Sequence, residues 1–485
     1  MLASTNYRGG FLLEIIISDL VKLMKQEKSF LSREKAMMLF FIELICLITK
    51  QAFNQLDDEL FEQYKKEGYQ SDRKSERTIT FLFGTVTYRR RRLKNKDGAI
   101  RYPLDEFLGI RKGTRYSSLV LRNVSELGSM MVYRHVSKAI DCLTTWNMSH
   151  QNVQQLVVKT GTLIQERSTH EQRYEGIRIK KKVPFLYLEG DGVLIRGQGK
   201  KRLEIHRFQV SEGTEKRGNR STLIHSHFVS HLNRQQAQKE MMHYLQATYD
   251  LKETIVVSNS DGGSGYEKEV FEELSLGCFR HEHFRDKYHV HQKIKERLNF
   301  VPSLQKKLIE AVCQYDFGKV QACLDTAESL IEDQHEEQYK EQIRLLTAYL
   351  QRNWHYLCPL KARGIQDNQA CIGTIESTHR KMTYRMKRQG RLWTKSGASA
   401  MIRVIDSLRN NELDDWLNQY YDLPNDVYES EVRWKKMKRA VQRKPPFIPH
   451  SGVFNGRIAY GYATSSPLGR LSSALNQLST TPRYL

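Results

Sequence analysis

The stretch that decides the fold runs Val183-Pro-Phe-Leu-Tyr-Leu-Glu-Gly-Asp-Gly-Val-Leu-Ile-Arg-Gly197. Val183–Leu188 is a short apolar run with the length of a buried strand, and it leads into Glu189, Gly190 and Asp191. A second run, Thr254–Val257 in TIVVSNSDGGSGY, leads in the same way to Asp261. An apolar strand that runs into an acid and small residues is a frequent layout for sites at strand C-termini. A third acid, Glu376, stands in CIGTIESTHRKMTYRMKRQGRLWTKSG (371–397), which reads as a basic helix. Carboxylates at the ends of neighbouring strands, faced by one from a helix, suit a two-metal phosphoryl-transfer site. Two cations roughly 3.5–4 Å apart activate the attacking oxygen and stabilise the leaving one, and hard cations take oxygen ligands.

The elements around these acids follow a definite order. Strand-like runs VPFLYLEG, RLEIHRFQVSE and STLIHSHFVSH precede a helical RQQAQKEMMHYLQATYD. The strand TIVVSNSDG, the helix YEKEVFEEL and a last strand-like HFRDKYHVHQKI follow. This is the order of an RNase-H-like fold. In it, Asp191 closes the first strand and Asp261 the fourth, and those strands are neighbours. Residues 294–368 read as a helical insertion ahead of the helix of Glu376. The expected whole is an α+β multidomain chain: a helical segment (1–66), a basic β-hairpin region (67–116), a helical bundle (117–175), the catalytic core (176–293), the insertion (294–368), the last core helix (369–410) and a C-terminal tail (411–485), loop-like beyond Leu423.

The 485 residues carry 77 Lys+Arg against 55 Asp+Glu, a formal net charge of +22. Such an excess attracts phosphate backbones through counterion release; acidic proteins or anionic membranes are the alternative partners. Glu43 interrupts the longest apolar stretch, Ala36 to Lys50, so a buried helix is expected there and no membrane span. Seven scattered cysteines with no CxxC pair fit a reducing, intracellular compartment.

Each further candidate has a plainer reading beside it. Arg89, Arg90, Arg91 and Arg92 lie on a strand that alternates with a bend at Gly84, and Asp97-Gly98 marks a hairpin turn. These arginines face either DNA or solvent along a charged sheet edge. Tyr133–Leu143, the turn TTWNM and a helix from His150 capped by Ser149 resemble a helix-turn-helix presenting Gln151 and Gln154 to a major groove, or form a structural bundle. Glu189 competes with Asp191, because positions two apart on a strand share a face. Asp286 competes with Glu376, whose Arg380 at i+4 also fits a surface ion pair. Cys278, His281, Asp286 and His289 include half of a zinc pattern, with no second half evident. Arg380, Lys381, Arg385, Lys387, Arg388 and Trp393 crowd the third acid with groups suited to a phosphodiester.

Taken together, FGTVTYRRRRLKN…LDEFLGI, YLEGDGVLIRGQ, SDGGSGY, FRDKYHVHQKI and ESTHRKMTYRMKRQGRLWTKSGASAM resemble bacterial insertion-sequence transposases of the ISLre type, a DDE-class family. Cys278-x2-His281 is also similar to a feature of Mutator-like transposases. The resemblance implies Asp191, Asp261 and Glu376 as catalytic, metal-binding triad, with Mg2+ (Mn2+ as substitute). It implies double-stranded DNA partners, namely the element's terminal inverted repeats and the target. It further implies a homodimer or larger assembly on DNA, no membrane, and a cytoplasmic, nucleoid-associated location. A nuclease of the same fold without strand transfer, or an inactive DNA-binding descendant, are the alternatives.

Overall fold

A computed structural model describes residues 3–174, 179–199, 202–218, 220–331, 336–370 and 372–422. The chain divides into a first unit, Met1–Tyr421, and a second, Asp422–Leu485. The expected tail beyond Leu423, and Cys371, lie outside the described residues. In the first unit the chain is a mixed α+β structure. It begins with helices α1 (Ala3–Gln26) and α2 (Phe30–Lys66), then strands β1 (Gln70–Phe81), β2 (Gly84–Lys94) and β3 (Ile100–Arg101). Helices α3 (Pro103–Phe107), α4 (Ser118–Met130), α5 (Tyr133–Leu143) and α6 (His150–Tyr174) follow.

The centre is a five-stranded sheet. Its strands are β4 (Phe185–Arg196), β5 (Arg202–Ser211), β8 (His227–His231), β9 (Ile255–Ser260) and β10 (Arg280–Arg285), with a small hairpin of β6 (Thr214–Arg217) and β7 (Arg220–Leu223) branching off. The spatial order is β10-β9-β4-β5-β8. β5 runs antiparallel to both β4 and β8, whereas β9 runs parallel to β4 and β10 parallel to β9. The parallel steps need crossovers, and α7 (Arg234–Thr248) and α8 (Lys268–Leu274) supply them.

Alternation along β4 sorts its side chains between two layers. Leu186 and Leu188 enter a core with Ala237, Met241 and Leu245 of α7 and with Phe271 of α8. Tyr187, Glu189, Asp191, Val193 and Ile195 share the other face. There Val193 and Ile195 pack with Met382 and Met386 of α13 (Ile375–Met386) and with Met401 and Ile402 of α14 (Lys395–Arg409). The strand does not open at Gly190, as its glycines suggest. It continues to Arg196 because β5 pairs with it throughout, while its pairing with β9 stops at Glu189–Asn259. Gly190 is required by close approach: a Cβ there would lie 2.9 Å from both the Phe208 and Tyr266 rings.

The last strand ends earlier than its sequence reads. Asp286 accepts the Tyr288 amide at 2.8 Å and caps α9 (Lys287–Arg297), so His289 and His291 lie on a helix, not on one strand face. α9 packs with α10 (Pro302–Cys313), α11 (Phe317–Ser329) and α12 (Glu336–Asn353) around Val290, Leu308, Leu324 and Leu346. This insertion has its own core.

At the N-terminal end, Ser29 accepts the Ser32 amide at 3.0 Å and divides the helical segment into α1 and α2. By length and composition α2 could cross a membrane, since one 18-residue window has mean hydropathy 1.8. What is corrected is the expected burial of Ala36–Lys50, since no residue of that stretch is buried. The later half of α2 packs Phe53, Leu56 and Leu60 on Val86 and Tyr88 of the hairpin. The hairpin turns at Leu82–Phe83, and the Asp97-Gly98 turn leads only to the two-residue β3.

The arginine run mostly binds this region together. Arg91 reaches Asp57 (2.7 Å) and Asp58 (2.6 Å), Arg92 reaches Asp72 (3.0 Å), and Arg90 pairs with the buried Asp105. Only Arg89 of the four is well exposed, and it lies 3.3 Å from Glu76. The expected DNA-facing strip is therefore corrected for Arg90 and Arg91, whose charges answer buried or half-buried carboxylates.

The bundle α4–α6 meets the core where α6 crosses α14. A Cβ on Gly161 would stand 2.2 Å from the Ala400 carbonyl oxygen, so only glycine lets the backbones approach this closely. Gly161→Ala is expected to destabilise the unit by about 3 kcal/mol through overpacking, read as a lower urea midpoint. An unchanged midpoint would show that the crossing has slack.

Candidate carboxylate and metal site

Asp191 stands mid-strand on β4, beyond the last pair with β9. Glu376 is the second residue of α13, in its first turn, and His379 lies one turn further on. Ligand atoms of Asp191, Glu376 and His379 all lie within 4.8 Å of one another, the one such group of His, Cys, Asp or Glu among the described residues. His379 Nδ1 is 3.6 Å from Asp191 Oδ2 and 3.7 Å from Glu376 Oε2. Burial, followed by the charges of Arg207 and Arg409, pushes the His379 pKa down to about 2 and so keeps the ring neutral. A neutral imidazole is the form that ligates metal.

Asp261 follows β9 in the SDGG turn and accepts the Gly263 amide at 2.8 Å. Its carboxylate is outside the close group, but its charge acts on Asp191. Burial raises the Asp191 pKa to about 7, with Asp261 and then Glu376 adding to the rise, while the Gly192 amide and His289 oppose it. Gly262 has φ +72°, and a Cβ there would collide with the Arg285 guanidinium, so the turn needs glycine at that point.

Glu189 has a different task from the one its position allows. Fully buried, it accepts from the Thr374 amide and hydroxyl (3.1 Å each) and from the Ile375 amide (2.7 Å). Its in-register neighbour Gln209 bonds Thr374 Oγ1 (2.7 Å) and accepts from Thr378 Oγ1 (2.6 Å). Two adjacent strands therefore grip the first turn of the helix that carries Glu376. A carboxylate at a helix N-terminus satisfies orphan amides and suits the helix dipole. Burial still raises the Glu189 pKa to about 7, with the Asp286 charge contributing. Asp286, the competitor of Glu376, caps α9 beside Glu189 and stands outside the close group.

Beneath the site, Arg207 is paired in register with Asp191 and is wholly buried. Its Nε donates to Ser230 Oγ (3.2 Å), which donates to Asp406 Oδ1 on α14 (3.2 Å). The structure separates the other sequence candidates. Arg380, Lys381, Lys387 and Arg388 are exposed, and so are Gln151 and Gln154. Arg385 and Trp393 are buried and do not lie on the surface with the other four. Trp393 Nε1 donates to the Met386 carbonyl (2.9 Å), and Arg385 Nε to that of Gly128 (2.6 Å). His281 bonds Ser258 Oγ at 2.7 Å, and neither it nor Cys278 belongs to the close metal-type group.

His379, Gln209 and Arg207 were not singled out by the sequence reading. Glu376-x-x-His379 was the available signal, since an i,i+3 pair shares a helix face and recurs in carboxylate metal sites. Nothing local marks Arg207 or Gln209.

Residues 32–414 match the uncharacterised protein family UPF0236. A UPF0236 protein named for the 3′ region of vanSb in Streptococcus gallolyticus is 35% identical over 94% of this chain and 99% of its own length. A UPF0236 protein of Caldanaerobacter subterraneus subsp. tengcongensis is 21% identical over 70% of this chain and 69% of its own length. Another from that organism is 21% identical over 75% of each. The chain belongs to the UPF0236 family.

The raised Asp191 pKa has a consequence for stability. Native Asp191 keeps a proton between about pH 4 and 7 that the unfolded chain releases, so metal-free stability falls as pH rises through that window. The fall is at most about 4 kcal/mol. Asp191→Asn is expected to flatten this dependence in urea unfolding with chelator at pH 4.5 and 7.5; an equal slope in both proteins would contradict it. Glu189→Ala leaves two amides of α13 without their acceptor. It is expected to cost about 2 kcal/mol and to speed amide exchange at 374–378, whereas exchange at the wild-type rate would mean that Glu189 does not hold the helix.

Proposed function

We propose that this chain is a DDE-class DNA transposase with an RNase-H-like catalytic unit, acting at the ends of an insertion sequence. The observation that carries the reading is the convergence of Asp191, Glu376 and His379 within 4.8 Å, with Asp261 close enough to raise the Asp191 pKa. Three acids that repel one another at one end of a sheet are matched to divalent cations. The strand order, three antiparallel strands followed by two parallel to the first, supports the RNase-H-like assignment. The net charge of +22 supports a nucleic-acid substrate. One relative's name carries eleven locus designations from a single organism, which supports a gene that copies itself within a genome.

The donor set fits Mg2+ through the carboxylates, and Mn2+ is the more tolerant of imidazole. Bound by Asp191 and Glu376 with Asp261 or His379, a divalent cation would supply Lewis-acid stabilisation of the phosphodiester oxygens. Glu189 and Gln209 fix the helix that brings Glu376 to Asp191. In the first step, water oxygen bonds to phosphorus at the element end, the 3′ oxygen leaves, and a 3′-hydroxyl is freed. In the second, that hydroxyl attacks a target phosphodiester in line, displacing the target strand's 3′ oxygen. Exposed Arg380, Lys381, Lys387 and Arg388 line the third acid's helix with charge for the DNA backbone.

The test is cleavage and joining of labelled DNA carrying the element's terminal repeats, with Mg2+ and with Mn2+. Asp191→Ala, Asp261→Ala and Glu376→Ala are each expected to lower both steps by at least about a hundredfold, as loss of a metal ligand must exceed loss of its supporting shell. Cleavage without joining would make the chain a nuclease. DNA binding with no cleavage by the wild type would make it a DNA-binding protein.

A further inference from the structure

A cleft of about 600 Å³ opens between the start of α5, the start of α6 and the segment 391–397. It lies away from the carboxylates. Glu376 is the second residue of α13, and Arg385, which lines the cleft, is its last but one, nine residues later. At about 1.5 Å per residue the two sites are roughly 13 Å apart along the helix.

The chemistry of the cleft is one-sided. Arg134, His135, His150, Arg385 and Arg391 line it, and among the described lining residues there is no Asp or Glu. Arg385 is 1% exposed, and its guanidinium lies over the rings of Tyr133 (4.9 Å) and Trp393 (5.1 Å). Its Nε donates to the Gly128 carbonyl, but its Nη1 is buried with no partner. Burying an arginine without a counter-charge is costly, and a buried donor left unmade adds to the cost. A fold that holds this charge against two aromatic rings at the wall of an acid-free cleft is set up for an anion. The volume is within the range of about 300–1,000 Å³ used for small-molecule ligands, so one inorganic phosphate leaves most of it empty. An aromatic-walled cationic cleft suits a nucleotide, with its phosphate among the guanidinium groups and its sugar or base against the rings.

The cleft is also tied to the catalytic strand. Trp393 N donates to the Arg196 carbonyl (3.0 Å), and Gln198 N donates to that of Trp393 (3.1 Å), so the segment carrying Trp393 is bonded to the end of β4. Asp191 and the cleft thus share β4 and α13 and keep a fixed separation.

We propose that this cleft is a second DNA-backbone site, which seats one nucleotide of the bound strand roughly four base pairs from the phosphodiester at Asp191. The spacing follows from roughly 13 Å divided by a rise of about 3.4 Å per pair. This rests on the transposase reading and adds to it a defined contact outside the reacting centre. Arg134 and Arg391 are exposed, so replacing them leaves the core intact.

The experiment uses the full chain, the terminal-repeat duplex and anisotropy titrations across a salt series, for wild type and the Arg134→Ala/Arg391→Ala double variant. The expected result is an affinity loss of about tenfold or more, with the slope of log K against log salt smaller by about 1–2. A neutral methylphosphonate three to five pairs from the cleavage point should weaken the wild type and have little further effect on the double variant. Equal affinity and slope in both proteins, with Asp191-dependent cleavage retained, would overturn the cleft and leave the transposase reading standing. A methylphosphonate effect spread evenly over all positions would also overturn it. A wild type that binds no DNA would overturn both.

Discussion

The acid cluster depends on one buried carboxylate that stands outside it. Glu189 holds the first two amides of α13, and through them it sets where Glu376 stands relative to Asp191. Asp191 is fixed by sheet pairing; Glu376 approaches from a helix that 115 residues of turn, strand and insertion separate from Asp261. A helix at the end of so long an excursion needs an anchor with direction, and a carboxylate that accepts two backbone amides supplies one. Gln209 repeats the grip from the next strand. Glu189 and Asp191 lie two apart on one face, so the strand that carries one acid of the cluster also carries the group that orients the other.

The strands were legible because their apolar runs are short and bounded by small residues. The three acids were legible because each follows such a run or lies in a basic helix. The end of β10 was not, since an alternating His-x-His pattern imitates a strand and only the Asp286 cap makes it helical. Nor was the break at Ser29, where a serine–serine capping box interrupts a segment free of Gly and Pro. The division of labour between Glu189 and Asp191 could not be read either, because it depends on a partner helix 185 residues away. The run Arg89–Arg92 was open in the sequence between a nucleic-acid strip and a charged sheet edge, and the structure corrects the strip at Arg90 and Arg91. Their acids, Asp57, Asp72 and Asp105, come from three separate elements, and no local window contains them all.

Charge in this chain thus has two uses. Arginines of the hairpin, such as Arg91 beside Asp57 and Asp58, are matched by carboxylates within the fold. Arg380, Lys381, Lys387 and Arg388, along α13 and just after it, are instead exposed. The formal count of +22 does not distinguish the two populations; burial and partners do.

The distance along the chain between Glu189 and Thr374 also sets a clock. At about 5–20 residues per second of synthesis, β4 leaves the ribosome roughly 10–40 s before the amides that Glu189 will hold exist. Through that interval the carboxylate has to stay in water, and the strand cannot take up its final depth in the sheet. The helical insertion has its own core and can form in the meantime. Completion of the acid cluster therefore comes after every part of the sheet has been made.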